Sequence, residues 1–292
     1  MSSWYWNVGW LPSILAVVGN GLVIYLILAR RILRTTANRF VLSLAIADLS
    51  VGACFYPGQA ICHFVLTSCN EMIRDDIAVL MIYSSVCNLF AMTLDHYIAI
   101  TRPLRYTLLM TARRVAVVTA AAWIIPLSFY FIPSVCASLG LFRIDFKVSV
   151  IIWTTLFEFI PCLVLLLVTV RNVITSQKHS RRDTLLNIQL RHNQPNMKRP
   201  RSASSTKVIT TVVVTFLICY SVEVYSSFCH FTSLCVMNQN LYNVVRFLVI
   251  INSAINPIAY ALLKRDIKKE LRKMFRQKPV WKRRNSERTT SV

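Results

Sequence analysis

Acidic residues are scarce in this chain: 12 Asp and Glu stand against 33 Lys and Arg in 292 residues. Charged residues of both signs make up only 15%, where an ordinary soluble domain carries roughly 25%. The hydrophobic share is 55%, which excludes disorder, since a disordered chain needs low hydrophobicity. Only six glycines occur and no internal repeat is seen. A transporter or channel of repeated halves and broken helices is therefore a remote alternative. The nine cysteines are scattered and form no Cys-x-x-Cys pair, so a disulfide scaffold is excluded. No nucleophile–base pair, metal-ligand spacing or phosphate loop points to an enzyme.

What the chain does have is long apolar runs. A bilayer core takes roughly 20 apolar residues per helix. Seven stretches qualify, at about 8–29, 40–66, 73–100, 115–136, 147–173, 205–232 and 240–263. Lipid offers backbone groups no partner, so each is read as a helix. The alternation of a membrane barrel is absent. The fold class expected is an all-α membrane protein, a seven-helix bundle, with one domain over 1–292. A short amphipathic helix follows at 264–276 and a tail at 277–292.

The basic residues are segregated. Of the 33, 29 lie between spans one and two, three and four, five and six, or after span seven. Only Arg74, Arg143, Lys147 and Arg246 lie elsewhere. By the positive-inside rule these connections face the cytoplasm and the N-terminus faces out. Such segregation by alternate loops does not suit nucleic acid. Met1–Asn7 lacks the basic start of a cleaved signal peptide, so span one is expected to serve as its own anchor. The connection Arg171–Lys207 reads as a polar, basic loop flanked by helical extensions.

Polar residues inside the spans narrow the reading, because each is costly in lipid. Asn20, Asp48, Ser85, Asn88, Asn252 and Asn256 are such residues. They suit either a small cation site or a network that only fixes packing. Their spacing, with further landmarks, resembles a rhodopsin-like G-protein-coupled receptor over essentially the whole chain. The landmarks are Gly19-Asn20, Leu44-Ala45-x-Ala47-Asp48, Asp95-His96-Tyr97, Pro103-Leu104, Trp123, Pro161 and Asn256-Pro257-Ile258-Ala259-Tyr260. The resemblance implies a sodium pocket at Asp48, Ser85, Asn252 and Asn256, with an allosteric sodium ion and no other cofactor. It implies an activation switch at Asp95, His96, Tyr97, Phe216, Tyr220, Pro257 and Tyr260. It implies ligand contacts at Glu223 and Arg246. Asp75, Asp76, Val79 and Glu158 lie at similar depth and join them as candidates. Glu223 and Arg246 either pair with each other or bind a charged ligand. Tyr83, Tyr220, Tyr225 and Phe228 are candidate cavity walls.

The sequence departs from the family pattern in four places. His96 stands where the family has Arg. Cys219-Tyr220-Ser221-Val222 replaces Cys-Trp-x-Pro. Glu71 occupies the offset of the usual cysteine at the outer end of span three, so Cys69 is expected to pair with Cys136, and Cys229 with Cys235. Ala78 stands where amine receptors carry their ligand-binding Asp, and Ile250 replaces the retinal lysine of opsins. The expected protein is a multi-pass plasma-membrane receptor. It binds an extracellular small molecule or short peptide and activates a heterotrimeric G protein; arrestin and a kinase are further candidate partners. The alternative is a weakly coupled, constitutively active or decoy receptor with altered motifs. The basic stretch Lys264–Phe275 suits anionic lipid. Ser202 and Ser286 follow arginines, as in basophilic kinase sites, and Thr290-Ser291-Val292 fits a PDZ ligand.

Overall fold

A computed structural model describes residues 3–65, 68–141, 145–190, 201–232 and 238–276. Seven helices in it are long and apolar enough to cross a membrane. They are α1 (Trp4–Ala29), α2 (Thr36–Phe64), α3 (Glu71–Thr101), α4 (Ala112–Ala137), α5 (Ile151–Lys178), α6 (Thr206–Cys229) and α7 (Gln239–Leu263). A shorter helix, α8 (Arg265–Arg276), follows. No strand occurs among the described residues. Helix α5 continues to Leu190, and the helix containing α6 starts at Arg201.

Local chemistry starts these helices. The side chains of Thr35, Asn70, Thr111 and Asn238 each accept a hydrogen bond from a first-turn amide of α2, α3, α4 and α7. Prolines then shape them. Leu127–Phe131 in α4 and Thr155–Phe159 in α5 are wide π-turns. Each ends two residues before a proline, Pro133 or Pro161. Proline has no N–H for the carbonyl four residues back, Phe129 or Phe157, and the helix widens there. In α5 that turn buries Phe157 and Glu158.

The helices form a closed ring in which α1 meets α2 and α7, α6 meets α5 and α7, and α3 packs against α2, α4, α5 and α6. Small residues set the closest approaches. A Cβ on Gly52 would lie 2.8 Å from Cβ of Ala16, so a larger residue there would push α2 from α1. Side chains such as Val18, Ile218 and Leu262 point outward and exposed around the ring. An apolar belt of this extent is a lipid-facing surface. Inside, Trp123 donates to Ser43 (3.1 Å) and Ser43 to Asn88 (2.7 Å), which ties α4, α2 and α3.

Helix begins at Ser3, five residues before the expected position 8. The reason lies in Trp4, Tyr5 and Trp6. Tyr5 is fully buried and donates to Gln59 (2.8 Å), Tyr56 donates to the Trp6 carbonyl (2.6 Å), and Trp6 stacks on His63. Aromatic burial on α2 recruits a segment too polar in aggregate to read as membrane-spanning.

Candidate functional site

A cavity of about 220 Å³ opens among α2, α3, α5, α6 and α7. Its wall includes Asp75, Val79, Glu158, Glu223 and Arg246. Five of the six expected ligand residues thus share one space. Asp76 does not. Its carboxylate turns to α4 and accepts from Tyr130 (2.9 Å) and Ser134 (2.8 Å). Asp75 and Asp76 are neighbours in sequence, but one residue of helix turns a side chain by about 100°. Tyr225 and Phe228 are also not cavity walls, since both are more than half exposed on the outside of α6. Tyr83 and Tyr220 do line the cavity, and Phe55, Gln59, Ser226 and Tyr242 join them.

The charges in the cavity are unevenly matched. Arg74 holds Asp75 at 2.9 Å. Among the described residues no ion pair joins Glu223 to Arg246, although each acts electrostatically on the other across the cavity. Glu158 is 5% exposed and, among the described residues, accepts only from the hydroxyls of Tyr83 (3.3 Å) and Ser227 (3.4 Å).

Tyr220 forms the floor of this cavity and stacks on Phe216 with ring centroids 4.1 Å apart. Toward α8 lies the buried polar cluster. Asp48 accepts from Ser85 (2.6 Å) and from Asn256 (2.7 Å), and is also hydrogen-bonded to Ser253. Asn20 donates to the Ser253 carbonyl at 3.0 Å, linking α1 to α7. The Oδ1 atoms of Asn20, Asn252 and Asn256 have no partner among the described residues. A carboxylate with orphaned amide oxygens nearby suits a hard monovalent cation or water, either of which would satisfy them. Ser253 was not read from sequence; a serine beside Asn252 carries no signal of its own.

At the α8 end, Asp95 accepts from the Tyr106 hydroxyl (2.8 Å) and His96 Nε2 lies 3.3 Å from Thr206 Oγ1 on α6. The Tyr106 phenol is raised from its ordinary pKa by burial and by Asp95. Tyr97 is half-buried next to them. Tyr260 is fully buried on α7 with its hydroxyl toward the Met92 sulfur. Lys264 donates to Asn38, which in turn donates to Asp266 (3.1 Å) and to the Leu33 carbonyl (2.8 Å). Burial holds the Lys264 ammonium below its usual pKa, against the opposing charges of Asp266 and Asp95.

This arrangement agrees with sequence comparison. Residues 19–260 match the family described as 7 transmembrane receptor (rhodopsin family). The chain belongs to that family. It is a multi-pass plasma-membrane receptor and not an enzyme. Similar curated proteins include the histamine H2 receptor of Canis lupus familiaris, 28% identical over 91% of this chain and 78% of the relative. Dopamine receptor 1 of Drosophila melanogaster is 27% identical over 91% of this chain and 61% of its own length. Octopamine receptor beta-1R of the same organism is 27% identical over 89% and 60%.

The receptor departs from the expected disulfide. Cys69 pairs with Cys62, and Cys136 is free. Cys62 sits in the last turn of α2 and Cys69 just before the α3 cap Asn70, so the short connection brings their Cα atoms to 5.5 Å. Cys136 lies near the end of α4, and the residue at the family's usual cysteine offset is Glu71. Cys229 is disulfide-bonded; its expected partner, Cys235, lies outside the described residues. So do Ser286 and the PDZ motif Thr290-Ser291-Val292, and nothing is described of the Ser202 side chain.

Proposed function

We propose that this receptor binds a small extracellular ligand in the cavity above Tyr220 and activates a heterotrimeric G protein at the opposite, basic end. Its N-terminus faces outward. One observation carries the reading: the cavity holds several ionisable groups and rests directly on the Tyr220–Phe216 stack. A ligand there would bear on α6 through that stack, and its differential affinity for two packings of α6 would shift their populations. The named relatives are receptors for histamine, dopamine and octopamine, which supports a biogenic amine as the ligand. Asp48, Ser85, Asn252 and Asn256, with Ser253, would hold a sodium ion that favours the resting state. Anionic lipid would meet the basic face of α8. Arrestin, a kinase and a PDZ domain are further proposed partners.

The test is G-protein activation in cells expressing the full chain, challenged with amines, nucleosides, lipids and short peptides. Activation by a ligand and its loss on Tyr220→Ala at matched surface expression support the reading. A response that Tyr220→Ala leaves intact overturns the cavity as its origin. A second reading, a weakly coupled receptor, is favoured by one observation: Asp95 meets a neutral tyrosine hydroxyl where the family has an adjacent arginine.

A further inference from the structure

Within the ligand reading above, on which this inference rests, the cavity does not offer the usual anchor. Ala78, Val79 and Ile82 make the α3 wall apolar at the depth where amine receptors place a carboxylate. The acidic groups come from elsewhere. Asp75 is already held by Arg74, and Glu223 faces the positive charge of Arg246. Glu158 is different. It is more than nine-tenths buried, lines the cavity, and meets no cation among the described residues. Its two acceptor contacts are neutral hydroxyls at long distance, 3.3 and 3.4 Å.

An ionisable side chain at this depth is costly unless something compensates it. The chain invests structure in placing this one. Pro161 denies the Phe157 carbonyl the amide four residues on, and the wide turn Thr155–Phe159 that forms there buries both Phe157 and Glu158. Phe157 stacks on Tyr83 at 4.5 Å with rings nearly parallel, which fixes the tyrosine whose hydroxyl reaches Glu158. Tyr220 and Tyr242 supply aromatic faces to the same space, and such faces attract cations. At about 220 Å³ the cavity is smaller than the roughly 300–1,000 Å³ of drug-sized sites.

We infer that Glu158 is the anchor for the protonated nitrogen of a small primary amine, so that the ammonium is held from α5 and not from α3. The ammonium donates to the carboxylate, and Glu223 adds negative potential from α6. The remaining body of the ligand lies against Tyr220 and the apolar α3 wall.

The experiment uses the full chain in cells and in lipid nanodiscs. The probes are butylamine, 2-phenylethylamine and 2-(imidazol-4-yl)ethylamine, each with its uncharged N-acetyl counterpart. The readouts are G-protein activation and thermal stabilisation of the purified receptor. At least one amine should act while its N-acetyl form does not. Glu158→Gln, which keeps the shape, should weaken that amine by about 30-fold or more. Adding Ala78→Asp to that variant should restore part of the response, which distinguishes a lost anchor from a misfolded receptor. Equal potency of amine and N-acetyl form, or an unchanged amine response in Glu158→Gln, overturns the inference while leaving the receptor reading intact. A response to nucleosides, lipids or peptides with none to the amines does the same. Activation by acidification alone, lost in Glu158→Gln, would make the carboxylate a proton sensor and also overturns the amine anchor. Silence to every probe class in both readouts counts against the ligand reading itself.

Discussion

Asp48 shows how much one side chain joins in this receptor. Its two oxygens accept from α3 and α7 at 2.6 and 2.7 Å, and the orphaned Asn252 and Asn256 oxygens lie on the same stretch of α7. Asp48→Asn keeps the shape but removes the charge that a bound cation needs. Thermal stability of the purified receptor should rise with sodium in the wild type at constant ionic strength. The variant should lose that dependence. A wild type indifferent to sodium would make the cluster a packing network only. The cysteines give a second residue-scale prediction. Differential alkylation with intact-mass analysis should find Cys62 and Cys69 blocked and Cys136 reactive. Cys62→Ser should lower stability by about 2 kcal/mol, the loop-closure entropy of so short a ring. A Cys136→Ser change should leave the bridge untouched. Labelling of Cys62 with protection of Cys136 would reverse the pairing.

At the scale of elements, α8 is held to the bundle by mixed means. Ile267 is buried, and Glu270 meets Lys273 (2.6 Å) and Arg30 of the α1 end (3.8 Å). The Lys273 hydrogen bond, assisted by the charges of Lys273, Arg30 and Lys269, lowers the Glu270 pKa below the usual 4.5. The folded form therefore favours the ionised carboxylate. Its contribution is fully present above the ordinary glutamate value and is lost as pH falls through the lowered one. Hydrogen exchange over Arg265–Arg276 should thus quicken when pH, corrected for intrinsic rate, drops below about 4.5. In Glu270→Gln the protection should be lower at neutral pH and flat through this window. Protection in the wild type that ignores pH would mean apolar docking alone holds α8. The existence of all seven long helices was legible in the sequence, because lipid demands some 20 apolar residues per crossing and the chain supplies them in unbroken runs. Helix rotation was less legible. Asp75 and Asp76 read alike until a face is assigned. Glu158 was readable as a costly charge, and a helical wheel puts it on the face of buried Leu165, seven residues on; that the wide turn also brings its neighbour Phe157 inward was not legible. The aromatic contacts of Trp4, Tyr5 and Trp6 depend on partners more than 40 positions away. The Cys62–Cys69 ring was not legible, because the 5.5 Å approach of the two Cα atoms exists only once the ends of α2 and α3 are placed.

For the whole molecule the question is how one end of the bundle restrains the other. At the α8 end the family's arginine is absent, and three weaker ties take its place. Tyr106 donates to Asp95, His96 meets Thr206 across α3 and α6, and Lys264 joins the end of α7 to Asn38 at the start of α2. Only the second spans α3 to α6, and it is a single contact of 3.3 Å between uncharged or weakly charged groups. Such a bond contributes about 1 kcal/mol, whereas hydrogen bonds to charged groups contribute roughly 1.5–3 kcal/mol. Resting restraint should therefore be loose, and basal signalling measurable without ligand. Thr206→Val removes the hydroxyl with little change of volume, and basal G-protein activation should rise about two- to fivefold, the Boltzmann factor of that single bond. His96→Arg should do the opposite at rest. A guanidinium beside Asp95 gains a charged partner that imidazole does not offer, since Arg presents five donors in a fixed fork. Basal activity should fall in that variant, and maximal activity should rise if the longer side chain also reaches the G protein. Both variants are read at matched surface expression in one activation assay. Basal levels equal to wild type in both would show that the α3–α6 contact at His96 carries no restraint, and that Lys264 and Tyr106 hold the resting state without it.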